Sequence, residues 1–303
     1  MRHRSPRPSR RVRRRALRTI LVVPTLVTAG NLLAGFLALT YLMQASYATD
    51  PLAVRALWAK AAWMVFLGMF CDVLDGRIAR LTHSTSAFGA QLDSLADIVT
   101  FGVVPALLSW SVVTAVDSVQ PRLLTALTVV YVIGAALRLA RYNVEAATAE
   151  EPHASHVTLI FRGLPTPAAA GVVASLVLLH QVYSVGRLDW LLLGVTPILG
   201  LLMISRFPYP HVVNRFLEGQ RGLATVVFLV LALFLFVIYF METITAIFLL
   251  YAFSGVVLHG LARLSGWPRW VIGEEQDEVG PSAAPPPDRD GIRSESPTRL
   301  GRS

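Results

Sequence analysis

Asp72, Asp75, Asp93 and Asp97 fall within a window of 26 residues whose surroundings are mostly apolar. An ionised side chain inside a membrane span costs about 2.5–3.5 kcal/mol on insertion scales, so four in one window need a physical cause. On helices Asp72 and Asp75 stand at i and i+3, while Gly89, Asp93 and Asp97 recur at every fourth residue, so each set lies along one stripe. The short connection from Leu81 to Phe88 predicts an antiparallel helix pair with the two stripes brought together. Carboxylates that converge repel one another unless cations neutralise them. Hard oxygen donors repeated along the stripes suit Mg²⁺ or Mn²⁺, and such ions in turn suit phosphates. Gly76 and Ala79 take bulk off the same helix and leave room for a ligand against the backbone, and Arg80 offers a planar cation to a phosphate. Singly, Gly76 or Gly89 is an ordinary helix-packing position in a membrane. Structural pairing of charges does not require the whole set at these spacings.

The elements that carry these residues read as membrane helices. The chain of 303 residues is 54% hydrophobic and 15% charged, against about 25% charged in soluble domains, which excludes a disordered or ordinary soluble protein. Stretches of about 20 apolar residues can each cross a bilayer. They are placed at 24–46, 56–80, 87–113, 123–142, 164–184, 189–206, 223–240 and 243–262. The expected fold is therefore all-α, a polytopic bundle of about eight transmembrane helices, with the acids inside the spans assigned to the 72–97 window.

Of the 27 Lys and Arg residues only Lys60 is a lysine, and nine arginines precede Thr19. A basic start can mark nucleic-acid binding, but here it runs straight into an apolar stretch, as a cytoplasmic membrane flank does. That stretch is longer than a signal-peptide core and no A-x-A-like cleavage site follows it. With the N-terminus inside, 23 of the 27 cations lie on the inner side, leaving Arg55, Lys60, Arg122 and Arg187 outside. This predicts a multi-pass protein of the cell (inner) membrane with both termini and the acid-rich end cytoplasmic. The organisation expected is a basic segment 1–18, a membrane domain 19–272, and a disordered tail 273–303 rich in Glu, Asp, Pro, Ser and Arg. The lone Cys71 excludes an intrachain disulfide. Trp58 and Tyr183, at span ends, read as interfacial anchors.

The pattern Asp72-x2-Asp75-Gly76-x2-Ala79-Arg80-x8-Gly89-x3-Asp93-x3-Asp97 is similar at every position to the signature of the CDP-alcohol phosphotransferases. That resemblance implies a six-helix membrane core, commonly a homodimer, which holds a CDP-linked lipid and two divalent metals at the cytoplasmic interface. It implies Asp72, Asp75, Asp93 and Asp97 as metal ligands, Asp97 also as general base, and Asp72, Gly76, Ala79, Arg80 and Gly89 around the CDP. The likeness continues in Pro24-x3-Thr28-x2-Asn31-Leu32-x2-Gly35, in Leu137 to Asn143, and in Phe161-Arg162-Gly163-Leu164-Pro165-Thr166-Pro167. Over about residues 18–215 the chain looks like the integral-membrane phosphatidylserine synthases. Such enzymes imply CDP-diacylglycerol, L-serine and membrane lipids as partners, with CMP released. The motifs leave open another acceptor, such as glycerol 3-phosphate or inositol phosphate, and an ether-lipid donor.

Thr28 and Asn31, at i and i+3 near the start of the first span, can meet the cytidine, or else bond to a neighbouring helix. Arg138 and Arg141, with Asn143 just beyond, can bind a serine carboxylate or the donor phosphate by paired hydrogen bonds, or else snorkel to headgroups. His153 and His156 lack the further ligands a metal site needs. The rival class is a divalent-cation transporter. A conduction path would spread polar groups across the bilayer, whereas these acids gather near one face beside Gly76 and Arg80.

Overall fold

A computed structural model describes residues 10–81, 87–115, 119–149, 163–183, 188–205, 207, 234 and 236–264. The described elements are α1 (Arg10–Tyr47), α2 (Pro51–Leu81), α3 (Ala87–Asp97), a π-helical segment (Ile98–Val103), α4 (Val104–Thr114), α5 (Pro121–Ala149), α6 (Thr166–Tyr183), α7 (Leu188–Ile204) and α8 (Phe240–Leu264). No strand occurs among the described residues. Among the described residues, six stretches are long and apolar enough to cross a membrane: Thr25–Tyr47, Pro51–Leu81, Phe88–Thr114, Pro121–Ala146, Thr166–Tyr183 and Phe240–Val257. A seventh apolar helix, Asp189–Ile204, is shorter. The protein is a multi-pass helical membrane bundle. The span expected at 223–240 lies mostly outside the described residues, as do His153, His156 and the tail 273–303.

The first helix begins earlier than its apolar stretch. Residues 10–18, expected as part of a basic segment ahead of the membrane domain, continue α1, because Arg, Ala and Leu are good helix formers and no breaker stands among them. Pro24 consequently lies inside α1.

Small residues let the helices approach closely, as membrane bundles require. α1 packs chiefly along α2, where Ala34, Ala38, Ala61, Ala62 and Val65 are buried. α5 crosses α7 at Gly134 and Gly200, where a Cβ on Gly134 would stand 2.8 Å from the Gly200 Cα. α6 is buried from Ala168 to Leu178 and packs against α2, α4, α7 and α8. Large apolar side chains such as Phe36, Phe70, Ile133 and Leu201 point outward, as a lipid-facing surface requires. Trp58, read as an interfacial anchor, is buried against the bundle instead of facing outward. α2 begins at Pro51, so Trp58 sits two turns inside, buried, and its indole N–H donates to Ser111 Oγ at 2.8 Å. Tyr183 is half exposed at the end of α6 and donates to Glu242 of α8.

The π segment has a local cause in the sequence. Pro105 has no N–H to give to the Phe101 carbonyl, which in hydrocarbon cannot be left to water. The buried Tyr131 hydroxyl of α5 donates to that carbonyl at 3.0 Å. The same segment holds Thr100, whose Oγ1 donates to the Asn31 carbonyl of α1 at 3.0 Å. Widened helical turns of this kind often accompany functional positions. Here the widening starts at the residue after Asp97.

Candidate active site

Five helices meet towards one end of the bundle: α1 around Thr28 and Asn31, the C-terminal halves of α2 and α5, the short α3, and the N-terminus of α6. α2 carries Asp72 and Asp75, and α3 carries Asp93 and Asp97. Ligand oxygens of Asp72, Asp75 and Asp93 all lie within 4.8 Å of one another. Asp97 is outside that mutual cluster and buried, and its Oδ1 accepts a hydrogen bond from Asn31 Nδ2 at 3.0 Å. A carboxylate has no proton to give, so the amide must present its nitrogen to Asp97.

The helix behind this cluster is α1. Asn31 is 0% exposed, so its side chain reaches Asp97 rather than a ligand outside. Thr28 is likewise buried, and its hydroxyl donates to Asp75. Both residues stand on the face expected, one turn apart, but their polar groups are turned to the carboxylates. Gly68 of α2 permits this arrangement: a Cβ there would lie 2.9 Å from Asn31 Oδ1.

In front of the cluster the surface is open. Gly76 is exposed, and among the described residues a Cβ built on it meets nothing within 4 Å, so none of the described helices packs on this glycine. Ala79 and Gly89 are partly buried beside it. Arg80 is exposed, and its Nε donates to the Gly76 carbonyl at 3.0 Å, which folds the guanidinium along the open face.

The two arginines of α5 part company. Arg138 points into the bundle, donates from Nη1 to Thr166 Oγ1 of α6 at 2.9 Å, and lies within electrostatic reach of Asp97 and, more weakly, Asp72. Arg141 instead donates to Glu145 at 2.8 Å on its own helix, on the exposed side. Asn143 reaches α3, where its Nδ2 donates to Ser94 Oγ at 2.9 Å. It fixes the helix that carries Asp93.

The donor set fits a divalent cation. Three carboxylates converge with no soft ligand among them, and two of their buried oxygens, Asp75 Oδ2 and Asp93 Oδ1, have no hydrogen-bond partner among the described residues. Buried carboxylate oxygens left without donors are costly unless a cation serves them.

Residues 21–204 match the family described as CDP-alcohol phosphatidyltransferase. The chain belongs to the CDP-alcohol phosphatidyltransferase family. Among relatives of this family member, a CDP-diacylglycerol--serine O-phosphatidyltransferase of Helicobacter pylori is 37% identical over 194 residues, 63% of this chain and 73% of the relative. The Bacillus subtilis protein of that name is 33% identical over 190 residues, covering 62% of this chain and 90% of the relative. The Methanocaldococcus jannaschii protein of that name is 28% identical over 200 residues, 66% of this chain and 79% of the relative. The family match spans α2 and α3 with every aspartate of the cluster, and also Arg138 and Thr166.

Several residues of this CDP-alcohol phosphatidyltransferase site are not marked by type or spacing. Thr166 and Ser94 lie inside quoted motifs, yet a lone hydroxyl in a membrane helix carries little signal. Thr100 has no sequence signal at all, because its role depends on the π turn. A fifth carboxylate also falls within the expected spans, outside the 72–97 window. Asp189 is buried at the start of α7 with its Oδ1 3.7 Å from His180 Nδ1, at the end of α6 away from Thr166.

Proposed function

We propose that this protein transfers the phosphatidyl group of CDP-diacylglycerol to L-serine, giving phosphatidylserine and CMP. The observation that carries the reading is the division among the aspartates, three converging and the fourth hydrogen-bonded to the buried Asn31. The names borne by the relatives support the choice of donor and acceptor. Asp72, Asp75 and Asp93 would hold divalent ions, Mg²⁺ or Mn²⁺ and two in number, whose charge stabilises the diphosphate and the departing CMP. Asp97 completes the signature set and takes the proton. The serine hydroxyl oxygen bonds to the lipid-side phosphorus, its proton passes to Asp97 Oδ2, and the bond from that phosphorus to the CMP oxygen breaks with its electron pair. Asn31 occupies Asp97 Oδ1 and so orients the other oxygen, while Thr28 orients Asp75.

The open face beside Gly76, Ala79, Arg80 and Gly89, with Asp72 at its edge, is assigned to the CDP. Arg138 is assigned to the acceptor. Arg141 would act at the rim against headgroups, and Asn143 by fixing α3. The charge asymmetry supports a cytoplasmic site in the cell membrane, with both termini on that side. Residues 19–272 would form the membrane domain between a basic start and a polar tail, and two copies would form the working dimer.

An acceptor panel with purified protein and CDP-diacylglycerol tests the reading. CMP release should depend on L-serine and not on glycerol 3-phosphate or inositol phosphate. Release driven by a phosphorylated alcohol alone would transfer the protein to another activity of the same family.

A further inference from the structure

Thr166 is fully buried, sits at the first position of α6, and accepts a hydrogen bond from Arg138 Nη1 at 2.9 Å. Its position is fixed by the turn before it. Gly163 has φ 91°, a conformation side-chain-bearing residues rarely adopt, and a Cβ there would also stand 2.8 Å from the Ser205 carbonyl oxygen. The N–H groups of Gly163 and Leu164 donate to the carbonyls of Phe207 and Leu202 at 3.0 and 3.1 Å. The start of α6 is thus fastened to the end of α7, and the hydroxyl of Thr166 is a fixed acceptor.

A hydroxyl orients a guanidinium without neutralising it, whereas a carboxylate in the same place would cancel its charge and compete for its donors. The contrast stands on the same helix, where Arg141 is paired with Glu145. Arg138 lies within electrostatic reach of Asp97, the carboxylate assigned to the attacking hydroxyl, so it stands on the side where that hydroxyl must sit. In a 2-amino-3-hydroxy acid the carboxylate is only two carbons from that hydroxyl oxygen's carbon. An alcohol whose oxygen meets Asp97 therefore brings its carboxylate towards Arg138.

We propose that Thr166 is a positioning residue for acceptor recognition, which holds Arg138 so that its remaining donors meet the carboxylate of the alcohol substrate. This rests on the proposed reading of the function. The test uses the full chain in detergent with CDP-diacylglycerol, and compares wild type with Thr166→Val, Thr166→Ala and Thr166→Ser. Loss of the acceptor in Thr166→Val should raise the KM for L-serine by about tenfold or more, the usual scale for a misplaced charge-assisted hydrogen bond. kcat and the KM for CDP-diacylglycerol should each change by less than about threefold. Thr166→Ala carries the same expectation with less demand on packing, should the valine variant fail to fold. Thr166→Ser keeps the hydroxyl and should return the serine KM to within about threefold of wild type. An unchanged serine KM in the valine and alanine variants would overturn the proposal, as would a fall in kcat alone. A rise confined to the CDP-diacylglycerol KM would also overturn it and give Arg138 to the donor phosphate. Should wild type itself release no CMP with serine, the functional reading fails and this inference with it. A serine-active enzyme indifferent to Thr166→Val removes Thr166 alone.

Discussion

A carboxylate that accepts a buried amide hydrogen bond and one that faces two other carboxylates are chemically different groups, even four residues apart on one helix. Asp97 carries the amide hydrogen bond, while Asp93 has its oxygen in the converging group with Asp72 and Asp75. Removing a ligand from a hard-cation site costs both charge and geometry. Asp72→Ala, Asp75→Ala and Asp93→Ala should therefore each abolish turnover and the rise in unfolding temperature that Mn²⁺ produces, while the protein still inserts. Near-normal turnover of one variant, after chelation and resupply of Mn²⁺, would take that residue out of the metal set. Asp97→Asn keeps shape and loses basicity, so turnover should fall by about 10² or more. Protection against thermal unfolding by CDP-diacylglycerol with Mn²⁺ should remain. Loss of both in Asp97→Asn, with protection kept in Asp93→Asn, would reverse the two assignments.

At the scale of elements, α3 depends on the widened turn that continues it. Pro105 withholds a donor, the helix widens over Ile98–Val103, and Tyr131 supplies the Phe101 carbonyl from α5. The widened turn also brings Thr100 onto the Asn31 carbonyl, which ties α1 to the segment just behind Asp97. Tyr131→Phe leaves the ring and removes the donor. Stability should fall by about 1–3 kcal/mol, the cost of a buried acceptor left unmade, measured as the denaturant dependence of unfolding in detergent. Full stability in Tyr131→Phe would mean that the π segment satisfies its carbonyl in another way. The packing of α5 on α7 through Gly134 and Gly200 holds the same region from the far side.

Over the whole molecule, the site occupies one end of the bundle and the buried Asp189–His180 pair lies towards the other. The proposed orientation puts the site with the cations on the inner side. In a Cys71→Ala background, single cysteines at Ser84 and Ser282 should react with an impermeant thiol reagent only from the cytoplasmic side, and one at Val185 only from outside. Reaction of Ser84→Cys and Ser282→Cys from opposite sides would mean an odd number of crossings between them, and the eight-span topology would fall.

Much of the architecture was legible in the sequence because a bilayer makes strong demands on composition. A run of about 20 apolar residues has few alternatives to a spanning helix, and ionised residues inside it need a cause. Spacing alone placed Asp72 with Asp75 and Asp93 with Asp97, since helix periodicity decides which residues share a stripe. It could not decide which carboxylates converge. That depends on how α2 and α3 rotate against α1, which Asn31, Thr28 and the small residue at Gly68 set through contacts distant in sequence. Nor could periodicity separate Arg138 from Arg141, which differ by less than one helical turn; the fold gives one to Thr166 of α6 and leaves the other to Glu145. Apolar length also missed the true start of α1, because helix propensity continues through the arginines after hydropathy has ended. The sequence determined which groups can do chemistry and at which end of the bundle they gather, and tertiary packing decided the partner of each, because a side chain's partner lies across a helix interface that no local pattern encodes.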